Sequence, residues 1–324
     1  MRRRPMIQDE HSRVYRRTTG RIGIAMLVFL ALFSGSSLVS ALISEALFPY
    51  VSAKAYTVVA ELLDMAAYLL SFMLPVLVYR LLSPREGRIP MALSPRIPRR
   101  LWLVIPAALA ITYCAALANA FLIRTMGLSS GASYPVPEGM QPYEAVLLYM
   151  SVAIVPAFCE EFLFRGLILP ELLPFGRTTA VLGSAVLFGL MHQNLEQMLY
   201  ATVAGVILGL VAMECGSIWG GVIIHLFNNL LSVVDEVLIS RLPYETEMIV
   251  YALMEVLVVG GGMLCLALLI IRHKKKKEPD LPPFMKAGPT PAGGALRGFF
   301  SPLMIAFWIL CVGEMVLWTV INLV

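Results

Sequence analysis

The sequence predicts an all-α fold, a polytopic membrane bundle of about nine transmembrane helices. Two observations lead to this prediction. Hydrophobic residues make up 59% of the 324 residues and charged residues only 14%, whereas soluble domains carry about 25% charged residues. The apolar residues are also gathered into runs of the length that a helix needs to cross ~30 Å of hydrocarbon, which is about 20 residues. The composition therefore places the chain in a bilayer.

Nine apolar runs follow one another along the chain. They cover residues 21 to 48, 55 to 82, 101 to 125, 143 to 172, 178 to 193, 196 to 214, 217 to 239, 247 to 271 and 301 to 323. The runs divide the chain into a basic N-terminus (1–20), N-terminal transmembrane helices (21–142), a central four-helix unit (143–238), an eighth helix (239–271), a basic Pro/Gly-rich linker (272–300) and a ninth helix (301–324).

The basic residues are distributed unequally between the two sides of these runs. If the N-terminus lies in the cytoplasm, all but three of the 25 Lys and Arg residues lie on the cytoplasmic side. The exceptions are Lys54, Arg124 and Arg241. Because cytoplasmic loops of membrane proteins carry the excess of Lys and Arg, we expect a multi-pass protein with a cytoplasmic N-terminus. The short loops favour a bacterial plasma membrane.

Two connections differ from the other loops. Residues 83–100 are basic and proline-rich, so we expect this loop to lie along anionic lipid headgroups. Residues 272–300 combine a lysine run with Gly, Pro and Ala, a composition that predicts a flexible tether to the last helix. The expected architecture is thus an eight-helix body with a ninth helix appended.

Composition also excludes several classes of partner. The basic residues form short clusters between apolar runs, so we expect the lipid bilayer as a partner and no nucleic acid. The five cysteines form no CxxC pair and lie within apolar runs, which favours packing thiols over a disulfide framework. They are Cys114, Cys159, Cys215, Cys265 and Cys311.

Ionisable side chains in hydrocarbon cost from ~2.5 kcal/mol each, so those that persist are functional candidates. Most of the single acids in the runs are expected to be structural, either interfacial or hydrogen-bonded between helices. They are Glu45, Glu61, Asp64, Glu196, Glu214, Asp235, Glu236, Glu255 and Glu314. Glu61 and Asp64, three residues apart on one helical face, are the strongest exceptions.

The fourth run has the highest density of charge, with Glu160, Glu161 and Arg165 within six residues. Glu161 and Arg165 are four residues apart with the acid first, the favourable order for an ion pair along one helix face. Glu160 is offset from Glu161 by ~100° around the helix. The spacing therefore predicts that Arg165 neutralises Glu161 and leaves Glu160 free for chemistry.

Two of the four histidines lie in later runs, each one helical turn from a notable neighbour. Phe188 precedes His192 by four residues, and Asn229 follows His225 by four. From the predicted helix ends, at ~1.5 Å per residue, Glu160 lies ~18 Å deep, His192 ~20 Å, His225 ~12 Å and Asn229 ~18 Å. These side chains can therefore meet near the middle of the membrane.

Such a set suits hydrolysis of a peptide bond in either of two ways. Glu160 with His192 can activate a water while His225 and Asn229 donate hydrogen bonds to the oxyanion. Alternatively, Glu160, His192 and His225 can bind Zn²⁺ and leave one position open for water. Residue types alone do not separate these two readings. A third reading is purely structural, with the histidines and the Glu/Arg pair only holding helices together.

The motifs resemble those of the CPBP family of intramembrane proteases, which includes type II CAAX prenyl endopeptidases and bacteriocin-processing or self-immunity proteins. The family pattern is Glu-Glu-x-x-x-Arg, then Phe-x-x-x-His, then His-x-x-x-Asn. The chain has all three in order, as Glu160, Glu161 and Arg165, then Phe188 and His192, then His225 and Asn229. The surrounding residues also match, with Pro156 before the double Glu, Gly166 after it, and Gly205 and Gly209 in the sixth run.

The resemblance covers residues ~143 to 238 and implies a four-helix catalytic core open toward the cytoplasm. It implies that Glu160 and His192 activate water, that His225 and Asn229 form the oxyanion site, and that no metal or other cofactor is needed. Zinc remains the alternative. The implied substrates are membrane-associated peptides or proteins, such as bacteriocin leaders, peptide pheromones or a membrane-anchored regulator. Prenylated tails are not expected in a bacterium.

Two other functional classes compete with an intramembrane endopeptidase. A non-proteolytic scaffold or bacteriocin immunity protein would keep the fold and bind a peptide without cleaving it. A proton-coupled transporter is disfavoured because the sequence shows no internal repeat of the kind on which many transporters are built.

Overall fold

The computed structural model describes residues 3–128, 140–234, 242–273, 281–291 and 298–323. Within these ranges the chain folds as helices joined by short connections, without a β-strand. The prediction of an all-α polytopic helical bundle is confirmed. Asp235, Glu236 and Arg241, and the lysine run at residues 274–277, lie outside the described residues.

The described ranges contain nine helical runs. We number them α1 (Arg3–Leu47), α2 (Ala53–Leu82), α3 (Leu101–Thr125), α4 (Pro142–Phe175), α5 (Arg177–Leu190), α6 (Leu195–Cys215), α7 (Trp219–Val234), α8 (Tyr244–Arg272) and α9 (Pro302–Leu323). They correspond one to one to the nine predicted runs. The largest difference is at the first helix, which begins at Arg3 and so includes most of the segment predicted as a separate basic N-terminus.

Six of the helices are long and apolar enough to cross a bilayer, namely α1, α2, α3, α4, α6 and α8. Three apolar stretches are shorter, at Arg177–Leu190, Trp219–Val234 and Pro302–Leu317. The chain is a multi-pass membrane protein. The three short stretches were all predicted as spans, and α5 and α7 among them are the helices that carry the candidate histidine motifs or lead directly into them.

Helix α4 contains two π-helical turns, and a proline stands two residues after the end of each. The turns are Met150–Ile154 and Phe164–Ile168, followed by Pro156 and Pro170. Proline has no N–H to offer the carbonyl four residues earlier, and π turns are frequent at functional sites. The two carbonyls left over, Val152 and Gly166, accept hydrogen bonds from other parts of the chain.

The bundle is built around α4, whose middle is fully buried between its neighbours. Helix α2 packs beside α4 and α1 packs on α2, while α5, α6 and α7 complete the core. On the far side α3 packs on α6 and α7, and α8 packs on α3. The Ser40 hydroxyl of α1 donates a hydrogen bond to Asp64 of α2, so the flagged acid Asp64 serves an interhelical contact in the structure.

The loop at residues 83–100 is held against the bundle by hydrogen bonds, a feature that its composition did not predict. Ala92 is fully buried. Its N–H donates to the Gly166 carbonyl at 3.3 Å, and its carbonyl accepts from the Ile218 N–H at 2.8 Å. The Trp219 indole N–H also donates to the Leu93 carbonyl at 3.2 Å. Backbone groups, whose partners composition does not reveal, therefore fix the loop between α4 and the start of α7.

The described part of the linker also packs against the bundle, in contrast to the predicted flexible tether. Met285 is fully buried, and the Gly288 N–H donates to the Leu173 carbonyl at 2.9 Å. Further along, the Thr19 hydroxyl donates to the Gly298 carbonyl at 2.8 Å. We call the end of the bundle where residues 83–100 and 281–291 lie the loop face. From there α9 packs along α1, with Met304 buried in the contact.

Candidate active site

The predicted pair of Glu161 and Arg165 lies at the centre of the core, and both side chains are fully buried. The Arg165 Nη1 donates to Glu161 Oε1 at 2.7 Å, and Nη2 donates to the Gly205 carbonyl of α6 at 3.1 Å. The guanidinium also lies over the Phe188 ring, 4.4 Å from its centroid. The helical spacing thus correctly predicted this ion pair, and the two helices that it joins to α4 are α5 and α6.

Close approach of α7 to this pair requires a glycine. A Cβ atom placed on Gly221 would lie 2.4 Å from Glu161 Oε2. The absence of a side chain lets α7 approach α4 closely enough for His225, one helical turn further along, to reach the two glutamates.

Glu160 is also buried, with 4% of its surface exposed. Its Oε1 accepts a hydrogen bond of 2.5 Å from the Tyr68 hydroxyl of α2. Its Oε2 has no hydrogen-bond partner and lies 3.8 Å from His225 Nε2, too far for a hydrogen bond. A buried carboxylate oxygen without a partner is unusual, because burial of an unsatisfied polar atom is costly. Glu160 therefore keeps one oxygen without a hydrogen bond, and so does Glu161, whose Oε2 also lacks a partner.

His225 lies between the two glutamates. Its Nδ1 is 3.4 Å from Glu161 Oε1, and its Nε2 faces Glu160 Oε2. A carboxylate accepts hydrogen bonds and does not donate them, so Nδ1 carries a hydrogen. The ring is thereby oriented by the Glu161 and Arg165 pair, with its other nitrogen toward Glu160.

His192 lies just past the end of α5, next to the Phe188 ring. Its Nδ1 is 2.9 Å from the Phe188 carbonyl, which can only accept, so this nitrogen also carries a hydrogen. The neutral ring then presents Nε2 as an acceptor. The Phe188 ring contacts both imidazoles, with centroid distances of 5.3 Å to His192 and 5.8 Å to His225. No hydrogen bond joins His192 directly to Glu160 among the described residues.

Asn229 has a partner that the sequence analysis did not foresee. Its side-chain amide donates to the Val152 carbonyl at 3.1 Å, which is one of the two carbonyls that prolines leave free in α4. The amide has two hydrogens, so one remains for another acceptor. The neighbouring Asn228 accepts a hydrogen bond of 3.2 Å from the Thr112 hydroxyl of α3.

A small cavity of about 40 Å³ connects these side chains. Its polar lining comes from three helices and the turn after α5, and includes Thr112, His192, Tyr200, His225, Asn228 and Asn229. A volume of this size with several polar partners is enough to hold water. The predicted residues Phe188, His192, His225 and Asn229 thus surround one space that water can occupy. Glu160 is not part of its lining and lies 3.8 Å from the Nε2 of His225.

Four residues of the site were missed by the sequence analysis, namely Tyr68, Thr112, Tyr200 and Asn228. Asn228 stands beside the predicted Asn229, so its sequence position was visible although no role was assigned to it. Tyr68 and Thr112 lie on helices outside the recognised motifs, and their contacts with the site span 92 and 116 residues of sequence. Tyr68 lies four residues after Asp64, on the face of α2 already marked by two acids, which was the available signal.

The zinc alternative would need Glu160, His192 and His225 around one ion. In the part of the chain that the structure describes, no three His, Cys, Asp or Glu side chains are placed to share one metal ion. The Nδ1 of His192 and of His225 contacts a protein acceptor, which leaves the Nε2 of each ring as the nitrogen that could ligate a metal. Glu160, His192 and His225 are neighbours, but they do not surround a common point at ligand distance.

Comparison with known proteins identifies the central part of the chain. Residues 142–231 match the family described as Type II CAAX prenyl endopeptidase Rce1-like. The resemblance predicted from the three motifs is thereby confirmed, and the match includes all seven predicted site residues. No curated protein and no solved structure matches the chain. Residues 142–231, within a larger helical bundle, are thus similar to a family whose name denotes an endopeptidase. We call these residues the Rce1-like domain.

Proposed function

We propose that the chain is an intramembrane endopeptidase that uses Glu160 to activate water. The observation that carries this proposal is the state of the two adjacent glutamates. Oε2 of each glutamate lacks a hydrogen-bond partner, but Glu161 is neutralised by Arg165 at 2.7 Å. Glu160 has only the Tyr68 hydroxyl on Oε1, and its Oε2 faces the His225 imidazole at 3.8 Å.

The proposed reaction uses two acceptors that the site leaves without a hydrogen bond, Glu160 Oε2 and His192 Nε2. Glu160 Oε2 accepts a proton from water while the water oxygen bonds to the carbonyl carbon of the substrate. His192 Nε2 accepts a hydrogen bond from the second O–H of the water, which stays on the oxygen, and so orients the attack. The carboxylic acid then returns the proton to the amide nitrogen as the C–N bond breaks. The products are a carboxylic acid and an amine, and Glu160 is again a carboxylate.

The oxyanion of the tetrahedral intermediate needs donors in a water-poor site. The second amide hydrogen of Asn229 is one. His225 is the other when both of its nitrogens are protonated, because Nδ1 is turned toward Glu161. Asn229 is held for this role by the Val152 carbonyl. This division of roles keeps the assignment that the resemblance implied.

We propose membrane-associated peptides or proteins as substrates, in a bacterial plasma membrane with the loop face and the N-terminus toward the cytoplasm. The alternative is a scaffold or immunity protein that binds such a peptide without cleaving it. A single acid-to-amide change separates the two, because binding tolerates it and hydrolysis does not.

Comparative peptidomics of cells that carry the wild type, Glu160→Gln or Glu255→Gln tests the function. Removing a general base costs roughly 10²-fold or more in rate, so we expect Glu160→Gln to abolish a set of cleavage products. Glu255 is an exposed acid on α8 that accepts a hydrogen bond from Tyr113 and is not part of the cavity lining, so Glu255→Gln should give the wild-type pattern. His192→Ala should behave like Glu160→Gln. Identical peptide patterns in all four strains, at equal protein levels in the membrane, would refute the protease and favour the scaffold.

A second experiment tests metal dependence. We expect the purified protein to keep its cleavage activity after treatment with a zinc chelator and to contain less than one zinc per chain by elemental analysis. Stoichiometric zinc together with activity that the chelator abolishes and added zinc restores would overturn the metal-free mechanism and leave the protease assignment intact.

A further inference from the structure

Helices α2 and α4 run parallel and share two hydrogen bonds of the same kind. Tyr68 donates to Glu160, and Tyr79 donates to Glu171 Oε2 at 2.8 Å. Both bonds join residues that are 92 positions apart in the sequence. The two tyrosines are separated by three helical turns, as are the two glutamates, so each set lies on one face of its helix. The two pairs therefore lie in the same register between α2 and α4.

The two pairs differ in what surrounds the glutamate. Both oxygens of Glu171 have protein partners, since Oε1 lies 3.7 Å from Arg80 Nη1 while Oε2 accepts from Tyr79. Glu160 has Tyr68 on Oε1 and nothing on Oε2. The Tyr79–Glu171 pair, nearer the loop face, therefore has partners on both carboxylate oxygens. The Tyr68–Glu160 pair, in the core, leaves the oxygen that faces His225 without a hydrogen bond.

Packing holds the Tyr68 ring in place. It lies between Phe33 of α1 and Phe72 of α2, with centroid distances of 6.0 Å and 4.8 Å. A ring held by two others has little freedom to rotate its hydroxyl away from Glu160. The hydrogen bond on Oε1 in turn fixes the plane of the carboxylate, so that Oε2 points toward His225.

We propose that Tyr68, on a helix outside the Rce1-like domain, is a positioning residue for the reaction. It selects Oε2 as the oxygen that takes the proton from water. The inference rests on the proposed function, and it assigns part of the site to the N-terminal helices. An Rce1-like domain separated from α2 would keep all three motifs but lose the orientation of its general base.

The test compares Tyr68→Phe with Tyr79→Phe, which each remove one hydroxyl from a Tyr–Glu pair in the same register. A hydrogen bond to a charged group is worth enough for a roughly 10-fold to 100-fold fall in rate when it orients the reacting group. We expect that fall for Tyr68→Phe and a rate close to wild type for Tyr79→Phe. The probe is the set of products that disappears in Glu160→Gln, measured in vesicles from cells with equal protein levels.

A spectroscopic readout separates positioning from general structure. The infrared difference between wild type and Glu160→Gln identifies the carboxyl band of Glu160. We expect Tyr68→Phe to shift this band and Tyr79→Phe to leave it in place. An unmoved band, a wild-type rate in Tyr68→Phe, or equal losses in both tyrosine variants would overturn the proposal.

Two further outcomes are decisive. If Tyr68→Phe accumulates poorly, the rate and the infrared band are measured per folded molecule of the variant, and a wild-type rate or an unmoved band in that folded fraction would overturn the positioning role. If the wild type forms no products that Glu160→Gln lacks, the proposed function fails. Products that persist at the wild-type rate in Tyr68→Phe refute only the role of Tyr68.

Discussion

Arg165→Met is expected to lower the free energy of unfolding by about 3–5 kcal/mol, because it leaves the charge of Glu161 buried without its partner. Both side chains are fully enclosed, so water cannot replace the guanidinium. The change also removes the donor to the Gly205 carbonyl and the cation above the Phe188 ring. The melting temperature of the purified protein in detergent, at constant pH, measures the loss.

Two controls make this prediction specific. Arg80→Met breaks a longer pair with Glu171, at 3.7 Å and with 17% of the Arg80 side chain exposed, so a smaller loss of about 1–2 kcal/mol is expected. The double variant Arg165→Met with Glu161→Met removes both charges and should recover most of the lost stability. An Arg165→Met protein as stable as the wild type would contradict the assigned ion pair.

Gly189→Ala is expected to destabilise the contact of α5 with α6 and to reduce cleavage. A Cβ atom at this position would lie 2.1 Å from the Thr202 Oγ1 and 2.6 Å from the Met198 carbonyl oxygen. The hydroxyl can rotate away, but a helix carbonyl cannot, so the two helices must separate. Overpacking of this kind costs about 1–3 kcal/mol. Because the His192 N–H donates to the Gly189 carbonyl, the imidazole moves with the helix end.

Gly209→Ala is the matched control for Gly189→Ala, since it lies in the same contact between α5 and α6. A Cβ atom there would meet its nearest neighbours at 3.7 Å to 4.0 Å, which is ordinary contact. Alanine is a better helix former than glycine by up to about 1 kcal/mol, so stability should stay equal or rise. Thermal unfolding and product formation measure both variants. A tolerated Gly189→Ala would contradict the close approach of the two helices.

Much of the fold could be predicted from local sequence patterns. Hydrophobic runs predicted all nine helices, since each run needs only its own residues to be recognised. The i to i+4 spacing of Glu161 and Arg165 predicted their ion pair for the same reason. The motifs also identified the family that the comparison confirmed over residues 142–231.

The contacts that were missed join distant parts of the chain. Tyr68 and Thr112 reach the site from helices whose relative placement no local pattern specifies. Ala92 is held through its backbone, which carries no side-chain signal at all. The need of the Val152 carbonyl for a new donor was in principle predictable, because Pro156 leaves this carbonyl without its helical donor. Which residue would supply the replacement depends on the tertiary fold.

That proline has a consequence for how the core tolerates sequence change. Any ordinary residue at position 156 would bring back a backbone N–H, and this N–H would compete with Asn229 for one oxygen. Straightening α4 would therefore release the carboxamide of α7 rather than strengthen the bundle. The Val152 carbonyl that the proline leaves free in α4 is the acceptor that anchors Asn229 of α7. A mutation that restores the regular backbone of α4 therefore weakens the anchoring of α7.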